Sequence, residues 1–217
     1  IADLPHGPIL VIANEFFDAL PIRQFQRGRQ GWHECMVDVR DDAFIPVLNP
    51  LAVPGMDFPE AAADAVFEVS PARAAALAAV GHHIAGHGGA ALITDYGHGA
   101  SAVGDTLQAM RAHEYTDPFQ DPGAADLTAH VDFQALAAAA DAAGAQAHGP
   151  ICQGRFLEQL GIGARADRLK VRATEDQVKD IDGALHRLTA EDQMGQLFKV
   201  MAVTTPDSPA PPGLEDV

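Results

Sequence analysis

At 217 residues, 47% of them apolar, the chain is long enough for one large domain, or a domain with an appendage, and it can bury a sizeable core. Its 30 acidic against 14 basic residues give a formal charge of −16, a field that repels phosphate backbones and anionic membrane surfaces. That balance argues against a nucleic-acid partner and favours cations or a basic protein surface, the largest basic cluster being only Arg165 to Arg172.

The two cysteines, Cys35 and Cys152, lie far apart without metal-site spacing, as suits a reducing compartment. No apolar run is long enough to span a membrane and no signal peptide is visible, which predicts no membrane insertion. The chain begins with Ile and reaches core-like sequence within a few residues, so it reads as starting inside a domain.

In chain order, the first apolar run (Ile9, Leu10, Val11, Ile12) predicts a strand buried on both faces, as in a parallel sheet flanked by helices. It gives way to Asn14, Glu15, Phe16, Phe17 and Asp18, and in such sheets ligands sit beyond the carboxyl ends of the strands. A plain surface turn is the alternative reading of the same residues. Residues 22–48 fall into short β-like pieces, IRQFQ, WHECMVDV and AFIPVL, and predict a hairpin-like insertion. Residues 49–59, rich in Pro and Gly, read as a loop.

Ser70-Pro71 is a helix start, a capping hydroxyl followed by proline at the first helical position. The Ala-rich stretch 72–85 carries Leu77, Val80 and Ile84 at helical spacing before Gly86, Gly88 and Gly89 end it. A second strand is predicted over 90–99. A right-handed strand–helix–strand crossover makes the two strands parallel, with their carboxyl ends converging. Asn14, Glu15 and Asp18 would come from one end, and Asp95, Tyr96 and His98 from the other.

Further on, the pattern predicts a short strand within 106–115, a long loop over 117–133 and a helix over 133–143 closed by Gly144. A loop over 149–154 follows, then helices over 155–160 and 175–188 and an apolar strand over 197–204. Residues 204–217, Pro-rich and acidic, are expected to form a disordered tail. There is no internal repeat.

Other candidate chemistry is weaker. His83 and His87, four apart, have metal-ligand spacing, but they sit at a helix end where the dipole favours histidine anyway. Asp126, His130 and Asp132 look metal-like on paper, yet Asp132 is better placed to cap the next helix, which leaves His130 as a cleft candidate. No dinucleotide-binding or phosphate-loop glycine motif is present, and Cys152 has no base assigned to it.

The blocks NEFFDALP, LITDYGH, GDTLQAMRAHEYTDPFQDPGAADLTAHVDF, GPICQGRFLEQLGI and MGQLFKVMAV, in this order from Pro8 to Val203, resemble the MidA family. Its members are S-adenosylmethionine-dependent methyltransferases of class I and include a mitochondrial protein-arginine methyltransferase that assists assembly of respiratory complex I. The resemblance implies an α/β fold in which the chain is the C-terminal portion of a Rossmann-like class I methyltransferase sheet with a β-hairpin insertion. It makes residues 1–203 a partial methyltransferase domain, with residues 9–13 as the fourth strand of the family's sheet and 90–95 as the fifth.

It also implies S-adenosyl-L-methionine as cofactor and a basic protein substrate, with a complex I subunit as the specific case. The location implied is the bacterial cytoplasm, or the mitochondrial matrix for a eukaryotic homologue. The Gly-rich turn that family members carry ahead of NEFFDALP has no counterpart in residues 1–8, so no cofactor-binding residue is assigned and catalysis is expected to need more chain than this.

Residue chemistry suits an arginine acceptor. A planar guanidinium is best fixed by carboxylates through paired charge-assisted hydrogen bonds. Glu15 and Asp18 could supply them and Asn14 an amide, which makes these three the catalytic candidates. Phe16, Asp95, Tyr96, His98 and His130 are the substrate-binding candidates, and Phe16 and Phe17 could wall a cation or simply pack. The alternatives are a non-catalytic assembly factor that grips a respiratory-complex subunit, and a metal-dependent hydrolase using Asp95, His98, His130 and Asp132.

Overall fold

A computed structural model describes residues 4–112 and 114–215. Part of the predicted 106–115 strand, at residue 113, and the end of the predicted tail, at 216–217, lie outside the described residues. In chain order the elements are β1 (Ile9–Asn14), β2 (Arg23–Gly28), β3 (Gly31–Arg40), β4 (Ala43–Ala52), β5 (Val66–Val69), α1 (Pro71–His87) and β6 (Gly89–His98). Then come β7 (Gln108–Arg111), β8 (Glu114–Thr116), β9 (Asp126–Thr128), β10 (Val131–Asp132), α2 (Phe133–Ala142) and β11 (Gln146–Cys152). The last are α3 (Gln153–Gln159), α4 (Ile162–Lys170), α5 (Glu175–Thr189), α6 (Met194–Leu197) and β12 (Phe198–Thr204). They form two compact units: one takes the chain up to Phe16, Ala74–Ala100 and the chain from Val131 on, and the other takes Phe17–Arg73 and Ser101–His130.

In the first unit the sheet order is β1-β6-β12-β11, with β10 added to β6. β1 and β6 are parallel neighbours from Ile9↔Gly89 to Asn14↔Thr94, as the strand–helix–strand pattern predicts. β12, apolar almost throughout, runs antiparallel between β6 and β11 and is buried over nearly its whole length. Ile151, Phe156, Val200, Ala202 and Leu214 form one core cluster, with Leu92 and Leu157 packed against it. Helix α5 begins where Thr174 and Gln177 make a reciprocal capping box, which satisfies two otherwise unpaired backbone N–H groups.

Three expectations change here. β1 is not buried on both faces: Leu10 is 86% and Ile12 80% exposed, because β1 is the outermost strand and no described element covers that face. Residues 149–152 are not loop but part of β11. Gly149-Pro150 sits at the irregularity between His148 and Ile151, where the ladder needs no proline N–H. The tail is not free of the core, since Leu214 is buried in it. Two local turns, Ser208 N–H to Thr205 O and Leu214 N–H to Pro211 O, fold the stretch back, and a single leucine anchors it.

The second unit holds an antiparallel sheet, β4-β3-β2-β5, and a smaller one, β8-β7-β9. The hairpin-like insertion expected over 22–48 thus supplies three strands, β2, β3 and most of β4, of a four-stranded sheet, which β5 completes by returning along β2 from Arg23↔Val69 to Gln26↔Val66. Phe25, Trp32, Phe58 and Phe67 make its core, with Trp32 and Phe58 stacked at 5.2 Å between centroids. β4 runs to Ala52 inside the expected 49–59 loop. It tolerates Pro46 and Pro50 because its outer edge has no strand to bond, and prolines there blunt edge-to-edge pairing. The single strand expected over 106–115 is a hairpin, β7 with β8, turned near Ala112 at φ 52°.

Cys35, half-buried on β3, has its thiol pKa pushed up by burial first and by Asp105 and Glu34 next. A raised thiol pKa means that its contribution to stability is present below the ordinary value of 9.0 and lost as pH rises through the folded value. Alkylation of Cys35 by iodoacetamide is therefore expected to be slow at pH 8 and to accelerate only well into the alkaline range, read by mass spectrometry of the labelled peptide. Rapid labelling at neutral pH would contradict this.

Candidate active site at the strand ends

In the first unit the chain leaves β1 in an uncommon conformation. Glu15 has φ 48°, in the left-handed region, and its N–H donates to Thr94 O on β6 at 2.9 Å. A non-glycine residue there costs on the order of 1–3 kcal/mol and persists only where the surroundings over-determine it, as functional sites often do. The exposed Glu15 carboxylate accepts a hydrogen bond from the Asn14 amide, Nδ2 to Oε1 at 3.2 Å. Phe16 follows, 42% exposed.

At the end of β6, Asp95 is fully buried, and its Oδ1 accepts the Tyr96 N–H at 3.0 Å. The Tyr96 ring packs on Phe198, 5.5 Å between centroids. His98 lies opposite Asp132 in the β6–β10 register, with its Nε2 3.9 Å from Asp132 Oδ2. Asp132 Oδ1 accepts the Ala135 N–H at 3.0 Å and so caps α2, the role its position predicts.

The β6–β10 approach requires glycine at 97: a Cβ there would lie 2.0 Å from Val131 O. Gly97→Ala is expected to push β10 off β6 and to destabilise the protein by about 1–3 kcal/mol. A lowered thermal midpoint, with faster amide exchange at Val131 and Asp132, is the result to look for. An unchanged midpoint would mean that β10 moves at no cost.

In the second unit, Phe17 and Asp18 are buried, and their carbonyls meet Arg73 in the first turn of α1. The Arg73 guanidinium, itself 5% exposed, donates from Nε to Phe17 O at 2.6 Å and from Nη2 to Asp18 O and Ala129 O, both at 2.9 Å. Its Nη1 donates to His130 O at 2.7 Å. Ala129 N–H also donates to Asp18 O, at 3.1 Å. Asp18 and His130, distant in sequence, are therefore on adjoining backbone segments. On its other side His130 N–H donates to Thr106 Oγ1 at 2.9 Å, and that hydroxyl bonds the Glu68 carboxylate. Glu68 in turn accepts from Gln24 Nε2 at 2.8 Å.

Sequence reasoning passes over Arg73, Thr106 and Glu68. One signal was available: a cation in the first turn of a helix opposes the helix dipole, so an arginine there implies a specific partner. Ser70 does begin α1 as predicted, accepting the Arg73 N–H at 3.2 Å and donating to Pro21 O at 2.6 Å.

The metal readings gain nothing. Among the described residues no group of three or more His, Cys, Asp or Glu side chains is gathered to hold a metal ion. His83 donates from Nε2 to Gly7 O at 2.9 Å and stacks on His87 at 4.5 Å, a packing role at the end of α1. Cys152 stands at the N-cap position of α3 and makes no side-chain cap bond.

Residues 1–151 match the family described as "Putative S-adenosyl-L-methionine-dependent methyltransferase". The Xenopus tropicalis protein arginine methyltransferase NDUFAF7, mitochondrial, is 38% identical over 212 residues, covering 94% of this chain and 48% of that protein. The Homo sapiens protein of the same name is 36% identical over 207 residues, covering 93% of this chain and 46% of its own length. The chain thus spans about half the length of the curated relatives it matches. A crystal structure from Burkholderia thailandensis bound to S-adenosyl-homocysteine superposes with a TM-score of 0.85 at 28% identity, covering 100% of this chain and 58% of that one.

Proposed function

Because this chain belongs to the MidA family of S-adenosyl-L-methionine-dependent methyltransferases and has the α/β class I fold, we propose that its protein methylates arginine in a basic protein partner, a subunit of respiratory complex I. The observation that carries this reading is Glu15, an exposed carboxylate held in a strained left-handed conformation at a strand end with Asn14 bonded to it.

S-adenosylmethionine, when bound, supplies an activated methyl group on a sulfonium, which an arginine nitrogen takes in line, losing a proton and leaving S-adenosyl-homocysteine. The acidic strand ends fit the positive charge of both donor and acceptor, while the contacts to the cofactor's methionine and ribose are assigned to no residue of this chain. Glu15 grips the guanidinium by paired charge-assisted hydrogen bonds, and Asn14 orients the Glu15 carboxylate. Phe16 offers a ring face to the cation. Tyr96 and His98 contact the acceptor, whereas Asp18 is buried. Asp95, being fully buried, acts through the Tyr96 backbone rather than on substrate. The work is positioning and electrostatics rather than acid–base chemistry.

Relatives named mitochondrial support a mitochondrial location for a eukaryotic protein of this kind, and the matrix there, or the cytoplasm of a bacterium, is the location proposed with this function. No described helix is long and apolar enough to cross a membrane. Calorimetric titration of the full-length protein with S-adenosylmethionine, followed by methyl transfer to complex I subunits, tests the proposal. Absence of cofactor binding would replace it with a non-catalytic assembly factor that grips the same partner.

A further inference from the structure

We propose that the second unit docks the methyl-acceptor protein through an apolar groove, which takes a large apolar side chain from a basic segment of that protein; the identity of the partner rests on the methyl-transfer reading. The groove lies between the β3–β4 hairpin and the loop from β8 to β9, and encloses about 290 Å³. Val37 and Phe44 line it from the hairpin, and Pro118, Phe119, Pro122 and Leu127 from the loop side, all of them within the second unit. Strand pairing sets Cys35 beside Leu48, Val37 beside Pro46 and Val39 beside Phe44, which puts all six on one face of the hairpin. Of these, Val37, Val39, Phe44 and Leu48 are exposed. Scattered apolar residues on a surface need no explanation, but a contiguous apolar face with polar residues at its rim marks an interaction site.

Local turns shape the loop wall before any partner arrives. Phe119 N–H donates to Asp117 Oδ1 at 2.9 Å, Gln120 N–H to Asp117 O at 3.1 Å and Ala124 N–H to Asp121 O at 3.0 Å. A groove already in shape loses less entropy on binding. Its volume falls at the bottom of the range for small-molecule sites, about 300–1,000 Å³, and suits one or two side chains better than a cofactor. Pro46 and Pro50 on β4 discourage an added strand, so recognition runs through side chains. Charge selects the occupant. Segments 35–48 and 107–127 carry seven acidic residues against two basic ones, Arg40 and Arg111, and Arg111 is paired with Asp121 at 3.6 Å. A second copy of this chain, with its charge of −16 and the same acidic rim, is repelled, as is an anionic membrane surface. A segment with Lys or Arg beside its apolar anchor is attracted.

The test uses the full-length protein with Val37→Lys, which sets an ammonium on the groove wall at a position already exposed. For the purified complex I subunit that the wild type methylates, KM is expected to rise about tenfold or more, the scale of one lost apolar contact joined by a like charge. Turnover at saturation and calorimetric S-adenosylmethionine affinity should stay at their wild-type values. Leu127→Lys on the opposite wall should act in the same way, and it decides the matter should Val37→Lys fail to fold. Wild-type KM in the folded variants, or lowered kcat at unchanged KM, overturns the docking proposal and leaves the methyl-transfer reading standing. A matched loss of turnover and cofactor binding, the mark of mere unfolding, overturns it too. A wild-type protein that methylates no subunit overturns the methyl-transfer reading instead. Cosedimentation of the same subunits with wild-type and Val37→Lys protein then decides the groove: retention by the wild type alone supports docking, and equal retention or none overturns it. A wild-type dimer that Val37→Lys dissociates would give the groove to a second copy and overturn the acceptor assignment.

Discussion

Replacing Glu15 with Gln in the full-length protein is expected to cut methyl-transfer turnover by about 100- to 1000-fold, the scale of losing one charge-stabilising group at a reacting centre. Glutamine keeps the side-chain shape and an amide oxygen that can still accept the Asn14 hydrogen bond of 3.2 Å. It also leaves the Glu15 backbone bond to Thr94 O untouched. What disappears is the negative charge that, in the proposed role, would pair with a guanidinium and hold one nitrogen toward the methyl group. Incorporation of labelled methyl into a protein acceptor measures the loss, and calorimetry with S-adenosylmethionine should return wild-type affinity. Undiminished turnover would remove Glu15 from the site.

Arg73→Leu carries the largest expected cost in stability, about 3–5 kcal/mol, as for other buried charged groups whose partners are left behind. Leucine fills part of the space but donates nothing, so the carbonyls of Phe17, Asp18, Ala129 and His130 lose the bonds that Arg73 makes to them. Each buried acceptor left unmet costs about 1–3 kcal/mol, partly recovered where water enters or where Ala129 N–H still serves Asp18 O. Chemical denaturation of the full-length protein measures this, and a loss below about 1 kcal/mol would show that the segments hold together without the guanidinium.

Much of the architecture was legible because its signals are local. The apolar run at Ile9 and the capping pair Ser70-Pro71 each act within a few residues, and with the second strand they predicted the parallel β1–β6 pairing that the register shows. Asp132 was readable as a helix cap for the same reason: a short acidic side chain just before a helix finds an unpaired N–H within reach. Composition misled where one residue outweighed its neighbours. Gly149-Pro150 reads as a turn, yet it lies within β11, and the Pro-rich tail reads as disordered, yet Leu214 anchors it.

For the candidate site, the sequence by itself determined which residue types stand at the strand ends: an amide, carboxylates and aromatics directly after apolar runs, in the order of a recognisable family. Only the tertiary structure decided how each is presented. It turned Glu15 into the left-handed region against Thr94, buried Asp95 completely, left one face of β1 uncovered by any described element, and brought Asp18 beside Ala129 under one arginine. The reason is range. Strand and helix patterns follow from side-chain periodicity over a few residues, whereas burial, strain and a four-carbonyl clamp depend on segments that meet only after the chain has closed on itself.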